Sequence, residues 1–241
     1  PVQGAEVAGA ARSRGFFGRL PGAFVYPFRG SGVLILIVAT VLFAALNWLS
    51  WGCFGIIIQI VIYGYLFSFL QNILHATAVG DEAMPELPGM GNLLEDILLP
   101  FLRLLGVVLV SFGPALGLLW YAIANEQPAA GVAMIPAIAF GCLYFPMAFL
   151  AVAMLDSVAA VNPLVVIPSI LKAPLEYLVT VVLLAVVFGM RALGDAGVDM
   201  VFEGSFTTDS MGELILMLVV RSLWAFIAFY LLTAAIRVLG L

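Results

Sequence analysis

Residues 76–96, ATAVGDEAMPELPGMGNLLED, form a polar stretch between two long apolar runs, and this stretch decides how the chain is organised. It holds five of the 14 acidic residues of the chain. The apolar run on either side is long enough to cross a bilayer, since a membrane-spanning helix needs about 20 residues. The stretch is therefore predicted to be a connector lying on one face of a membrane.

The composition indicates a polytopic membrane protein. Hydrophobic residues make up 64% of the 241 residues, charged residues make up 10%, and the mean hydropathy is +1.20. So few polar side chains cannot cover the surface of a water-soluble domain of this length. This composition makes the lipid bilayer the expected partner. There is no basic patch for nucleic acid.

Two cysteines, Cys53 and Cys142, both fall inside apolar runs. This placement argues against a disulfide framework or a metal-thiolate site and favours two small buried side chains. The chain begins with Pro1 rather than Met, and it is expected to be part of a longer polypeptide.

The apolar runs predict an all-α integral membrane bundle of six transmembrane helices. Trp48 and Trp51 close the first span and Trp120 and Tyr121 close the third, as expected of an aromatic belt at one interface. The second span carries many polar side chains and is expected to face other helices. The six spans are predicted at about 33–49, 54–74, 104–124, 131–155, 175–190 and 211–239.

Two short interfacial helices are predicted beside the spans. Asn92 with Glu95 three residues later resembles a capping box, which indicates a short helix leading into the third span. Asn162 can cap a second short helix whose first residue is Pro163, and Pro168 is expected to end it. The two hairpins around these connectors allow a weak internal duplication, although proline is common at helix entry and gives the same similarity without one.

The two ends of the chain differ in character. Residues 1–30 interleave arginines with aromatic rings and predict a basic interfacial segment, with a disordered basic tail as the alternative. Residues 31–241 form the transmembrane domain. An acidic loop is expected at 191–210, and Ser210 with Glu213 forms a capping box that starts the sixth span.

The distribution of basic residues predicts the orientation. With the amino terminus inside, the inner segments collect seven of the nine Lys and Arg residues, namely Arg12, Arg14, Arg19, Arg29, Arg103, Lys172 and Arg237. Because cytoplasmic loops are enriched in Lys and Arg, both termini and both connectors are expected in the cytoplasm.

Short motifs at helix boundaries resemble a family of uncharacterised prokaryotic membrane proteins, catalogued as domain of unknown function 4013. They are residues 23–29 before the first span, residues 64–65 in the second, and residues 80–82, 85–87 and 93–96 in and after the connector. The resemblance covers about residues 23–115. It implies a polytopic protein of a bacterial or archaeal cell membrane, and it brings no catalytic residues.

Arg221 is the most specific indication of an intramembrane contact, because burying a guanidinium inside a membrane costs free energy and the group usually has a partner. It is interpreted as a structural partner of a carboxylate or of backbone carbonyls in a broken helix, with Glu213 or a group from another subunit as candidates. The alternative is a contact for a substrate or ion. The candidate polar contacts within the membrane are Arg221, Asp156, Glu176, Gln59 and Gln71.

The connector acids are candidate contacts for a cytoplasmic partner. A cation site is the alternative for three of them, but the intervening Pro and Gly favour a solvated loop. His75 has no clustered ligands and is interpreted as a helix-end residue. The candidate partner contacts are Asp81, Glu82, Glu86, Glu95 and Asp96; no catalytic, metal or cofactor site is predicted.

Three functions remain open on these observations. The favoured one is a non-enzymatic membrane subunit that scaffolds or anchors other membrane proteins in a homo- or hetero-oligomer. The second is a small-solute transporter or channel with a midplane site near Arg221. The third is a membrane enzyme, which has little support because His75 lacks a catalytic partner.

Overall fold

The computed structural model describes residues 15–49, 55–89, 91–127, 130–203 and 211–241. Within these ranges the chain forms helices and turns and no strand. The α-helices are α1 (Phe16–Val25), α2 (Gly32–Leu49), α3 (Gly55–Ala78), α4 (Leu99–Ala124), α5 (Ala130–Leu155), α6 (Pro163–Lys172), α7 (Pro174–Glu203) and α8 (Met211–Leu239). A π turn (Leu94–Leu98) runs into α4, and 3₁₀ turns lie at Tyr26–Phe28 and Val158–Val161.

Five of these helices are long and apolar enough to cross a membrane: α3, α4 with its π turn, α5, α7 and α8. A sixth span is reached when the segments Phe16–Phe28 and Gly32–Leu46 are taken together, although they are bent by 65°. The predicted all-α membrane bundle is therefore confirmed. The first predicted span, 33–49, corresponds to α2, which follows α1 after this bend.

Helices α3 and α5 form the centre of the bundle. The most apolar part of α3 is 44% buried and that of α5 is 39% buried, whereas the values for α4, α7 and α8 are 17 to 22%. Helix α3 packs against α2, α4, α5 and α8. The prediction that the second span faces other helices is confirmed for the part of α3 from Ile62 to Thr77, which holds all its buried residues, whereas Ile56 and Ile57 near its start are exposed.

One glycine sets the distance between α3 and the start of α4. Gly64 lies on α3 directly against the backbone of Ile97 in the π turn, and a Cβ at residue 64 would collide with the carbonyl oxygen of Ile97. Close backbone approach at a small residue is a common mode of helix packing in membranes. The π turn thus packs against α3 only because residue 64 has no side chain.

The π turn also changes how the start of α4 is capped. The side chain of Asn92 accepts a hydrogen bond from the amide of Leu94, but the reciprocal acid is Asp96, whose carboxylate accepts from the amide of Asn92 at 2.9 Å. The prediction that Glu95 accepts from the amide of Asn92 was wrong. The wider π turn places the acid one position later than in an α-helical capping box. No separate short helix precedes α4, since the turn continues into it.

The second connector agrees with its prediction in part. Asn162 caps α6 by accepting a hydrogen bond from the amide of Leu164 at 2.9 Å, and Pro163 is the first residue of the helix. Pro168 does not end the helix, which continues to Lys172. Pro136 and Pro146 likewise lie inside α5. A proline removes one helical hydrogen bond, and packing on both sides can offset that loss.

The predicted acidic loop at 191–210 is wrong over its first 13 residues, because α7 continues to Glu203. Arg191 and Asp195 pair at 3.8 Å one helical turn apart, which supports a helix rather than a loop. Asp195 and Asp199 lie four residues apart on α7 and both contact side chains of α8. Because both acids have partners on α8, they do not require this segment to be a solvated loop.

Some boundary predictions lie outside the described residues or side chains. They include the capping pair Ser210 and Glu213 and the belt residues Trp48 and Trp51. Trp120 and Tyr121 are described, and their side chains are exposed at the end of α4. Cys142 is also exposed rather than buried, because it lies on the outer face of α5.

Candidate functional site

Both connectors, residues 79–93 and 156–173, lie at the same end of the bundle as the carboxyl end of α8. Arg237 of α8 donates to the carbonyl of Asp81 in the first connector. Arg103 near the start of α4 contacts Asp156, the first residue of the second connector. This end is called the connector end, and the other is called the opposite end.

A polar cluster at the connector end joins α3, α4 and α5. Arg103 donates to Asp156 at 2.6 Å, and Gln71 donates to the same carboxylate oxygen at 2.5 Å. Gln71 also donates to the carbonyl of Ala153 at 3.0 Å. The cluster brings together two predicted contacts, Gln71 and Asp156, and uses both to tie helices to one another.

His75 completes this cluster as a helix-end residue. Its Nε2 lies 3.0 Å from the carbonyl oxygen of Ala153. Because a carbonyl can only accept, Nε2 carries the proton and donates it. No group of three His, Cys, Asp or Glu side chains in the described parts of the chain is placed to hold a metal ion.

Asp156 is held in an unusual backbone conformation as well as in an ion pair. Its φ is +53°, in the left-handed region, and it ends α5 there. Asp and Asn tolerate this region better than most residues. The side chain of Arg103 is 21% exposed and that of Asp156 is 57% exposed, so solvent weakens their attraction.

Asp156→Asn and Arg103→Met are expected to show a coupling energy of about 1 kcal/mol in a double-mutant cycle of unfolding free energies. Asn keeps the left-handed backbone conformation and removes only the charge. Unfolding would be followed by circular dichroism in detergent micelles. Additive effects of the two substitutions would contradict the ion pair, and Asp156→Gly serves as a control that keeps the backbone while removing the side chain.

A second cluster at the connector end is centred on Arg237, which is buried. Its guanidinium donates to the hydroxyl of Thr77 at 3.0 Å and to the carbonyl of Asp81 at 2.5 Å. It also lies 4.2 Å from the centre of the Tyr26 ring, at cation-π distance. One side chain therefore joins the carboxyl end of α8 to α3, to the first connector and to the segment before α2.

The first connector is held along most of its length. Arg29 pairs with Glu82 at 2.7 Å, and the hydroxyl of Tyr65 donates to the carbonyl of Pro88 at 3.0 Å. Met84 is buried between these two points. The connector is thus an ordered segment without regular secondary structure, which is typical of loops that present functional side chains.

At the opposite end, Arg221 pairs with Asp199 of α7 at 3.0 Å. The neighbouring Asp195 accepts a hydrogen bond from the indole of Trp224 at 2.6 Å. A Cβ at Gly194 would collide with that indole, so α7 and α8 meet closely here. Arg221 has the carboxylate partner that was expected, but the acid is Asp199, while the side chain of the candidate Glu213 lies outside the described residues.

Arg221 lies far from the middle of the bundle. It is 16 residues before Arg237 on α8, which corresponds to about 24 Å at 1.5 Å per residue. Since Arg237 lies at the connector end, Arg221 lies near the opposite boundary of a hydrocarbon layer about 30 Å thick. Its side chain is 48% exposed, as expected of a cation that reaches an interface.

The remaining predicted contacts lie apart from one another. Gln59 lies on α3, where it has interactions of its own. Glu176 lies in the first turn of α7 beside a cavity. Among the acids of residues 76–96, Asp81 accepts from the amide of Ala83, and Glu86 and Glu95 have exposed side chains.

Sequence reasoning missed Arg103 and Arg237 as contact residues. The sequence analysis used both only as positive charges that indicate the cytoplasmic side of the membrane. A signal for Arg237 is available, since a basic residue two positions before the end of a long apolar helix must reach polar groups at the boundary. The partners themselves, Thr77 and the carbonyl of Asp81, depend on which helices pack together.

Comparisons of the chain with protein-family models, with curated proteins and with solved structures found no match.

Proposed function

We propose that this protein is a non-enzymatic membrane subunit that anchors a partner membrane protein through its connector end. The observation that carries the proposal is a groove between α2 and the first connector, with a volume of about 270 Å³. Three residues of α2, the serine just before it and two residues of the connector line it, namely Leu34, Ile35, Val38, Ser31, Glu86 and Leu87.

The walls of the groove suit another helix. Leu34, Val38 and Val41 are exposed at intervals of four and three residues, so they form one stripe along α2. Glu86 adds an exposed carboxylate at the edge of the apolar surface. A transmembrane helix of a partner, apolar along its length and with a Lys or Arg at its end, has the complementary chemistry.

The internal polar contacts also support a structural role. Gln71 and Arg103 both donate to Asp156 and so connect α3, α4 and α5, while Arg237 connects α8 to α3 and to the first connector. The number of basic residues favours a cytoplasmic location for the connector end, since Arg29, Arg103, Lys172 and Arg237 lie there and the opposite end of the described chain has Arg191 and Arg221. The resemblance of residues 23–115 favours a prokaryotic cell membrane.

The transporter alternative requires a midplane site near Arg221. Because Arg221 pairs with Asp199 near the end of the bundle, no observation in the described chain favours that alternative, and it stays a prediction.

Purification from native membranes in mild detergent is expected to yield a complex with a fixed ratio of subunits. Glu86→Lys is expected to reduce the amount of co-purified partner at least fivefold, because it places a like charge against the partner's base. Glu126→Lys, the same exchange at the exposed loop of the opposite end, serves as the matched control.

The measurement is quantitative mass spectrometry of the purified complex, with the amount of this chain as the reference. Recovery of the wild-type chain as a partner-free monomer would contradict the proposal. Equal losses of partner in both variants would also contradict it, since the groove would then have no special role.

A further inference from the structure

A cavity of about 310 Å³ opens at the connector end between α1, α5, α7 and the carboxyl-terminal end of α8. Its volume lies at the small end of the range for ligand sites, roughly 300–1,000 Å³. Most of its walls are apolar, including Phe16, Met147, Leu150, Val238 and Leu239. The polar residues that line it, Glu176, Tyr177 and Thr180, all belong to α7.

Two of these polar side chains already have partners. The hydroxyl of Tyr177 donates to the carbonyl of Leu143 at 2.5 Å, and that of Thr180 donates to the carbonyl of Glu176 at 2.9 Å. The carboxylate of Glu176 is only partly exposed, and it has no hydrogen bond or ion pair with any residue that the structure describes. A carboxylate without a described partner beside apolar walls attracts a cation, so the cavity favours a cationic ligand.

The position of the cavity indicates what kind of cation reaches it. Glu176 lies in the first turn of α7, at the level of the connectors, and Thr180 lies one turn further into the apolar part of the helix. Leu175 and Leu178 on the same helix are exposed and belong to its lipid-facing surface. The cavity therefore has a carboxylate at headgroup level and apolar walls at the level of the acyl chains.

We propose that this cavity binds a phospholipid with a primary ammonium headgroup, of the phosphatidylethanolamine class. The ammonium donates hydrogen bonds to the carboxylate of Glu176, and part of one acyl chain packs against Met147 and Leu150. A quaternary ammonium carries a charge but no N–H donor, and an anionic headgroup is repelled. This site is independent of the proposed anchoring of a partner, which uses the groove beside α2, so either proposal can fail without the other.

Native mass spectrometry of the full chain in detergent tests the proposal. The chain is titrated with lipids of identical acyl chains whose headgroups are phosphatidylethanolamine, its N,N-dimethyl derivative, phosphatidylcholine and phosphatidylglycerol. Phosphatidylethanolamine is expected to bind about tenfold more tightly than phosphatidylcholine, with the dimethyl lipid in between, because the number of N–H donors falls along this series. Phosphatidylglycerol is expected to bind most weakly.

Glu176→Gln is expected to reduce phosphatidylethanolamine binding about tenfold, to the level of phosphatidylcholine. Glu95→Gln removes an exposed acid at the same end, away from the cavity, and is expected to change nothing. Leu150→Trp fills the cavity and is expected to weaken phosphatidylethanolamine binding while Glu176 stays in place. Unchanged elution volume and melting temperature of the Glu176→Gln variant confirm that it folds.

Equal binding of all four lipids would overturn the proposal, and so would equal effects of Glu176→Gln and Glu95→Gln. A third result would also overturn it. If phosphatidylethanolamine binds only after Arg12 and Arg14 are both changed to Gln in the full chain, then the amino-terminal segment itself supplies the cation for Glu176.

Discussion

Gly64→Ala is expected to lower the unfolding free energy of the bundle by about 3 kcal/mol relative to Gly113→Ala. A Cβ at residue 64 meets the carbonyl oxygen and the side chain of Ile97, and backbone cannot move aside as a flexible side chain can. A Cβ at residue 113 meets no atom within 4 Å. Both glycines lie inside helices, so the comparison cancels the gain in helix propensity of about 1 kcal/mol.

The measurement is equilibrium unfolding of both variants in the same detergent micelles. Gly113→Ala is expected to be neutral or slightly stabilised. Equal stability of the two variants would show that α3 and the π turn do not approach each other closely. A shift of the π turn to an ordinary α-helical turn is the structural response expected when the bundle tolerates Gly64→Ala, and it would appear as altered exchange of the amides at residues 94–98.

Arg237→Met is expected to release the first connector from the bundle. The substitution removes the hydrogen bond to the carbonyl of Asp81, the bond to Thr77 and the contact with the ring of Tyr26. Hydrogen bonds from a charged donor contribute about 1.5–3 kcal/mol each, and a cation-π contact contributes about 1–2 kcal/mol. A local loss of about 3 kcal/mol corresponds to roughly hundredfold faster amide exchange in residues 79–89.

Hydrogen exchange followed by mass spectrometry measures this effect segment by segment. Arg103→Met is the matched control, because Arg103 lies at the same end but contacts Asp156 of the second connector. Arg237→Lys is expected to give an intermediate rate, since an ammonium keeps the charge but lacks the two separate nitrogens with which the guanidinium reaches Thr77 and Asp81. Unchanged exchange in residues 79–89 of the Arg237→Met variant would contradict the role of Arg237.

The two clusters at the connector end show how far a sequence can predict a site in this class of protein. The sequence predicts that Gln71 and Asp156 have partners, because polar groups near the ends of apolar helices are costly when alone. It does not identify Arg103 as the partner of Asp156, since the two are 53 residues apart. That contact depends on α4 and α5 packing side by side with their connector ends level.

The acids of α7, in contrast, led to a wrong prediction of local structure. Asp195 and Asp199 raise the polarity of residues 191–203, and their local sequence therefore favours a loop. The structure keeps the helix because these acids meet Trp224 and Arg221 on α8. A polar side chain with a partner on a neighbouring helix does not end a helix, and the sequence of α7 alone does not contain that partner.

By itself the sequence determined the fold class, the approximate bounds of the central spans, and the connector that begins after α3. These features follow from the length and apolarity of local runs, because the bilayer acts on each segment separately. Only the tertiary structure decided the partner of Arg221, the role of Arg237, the continuation of α7 and the cavity beside Glu176. Each of these features depends on side chains that are far apart in the sequence and lie at the same level along the membrane normal. Helix packing, rather than local hydropathy, sets that level.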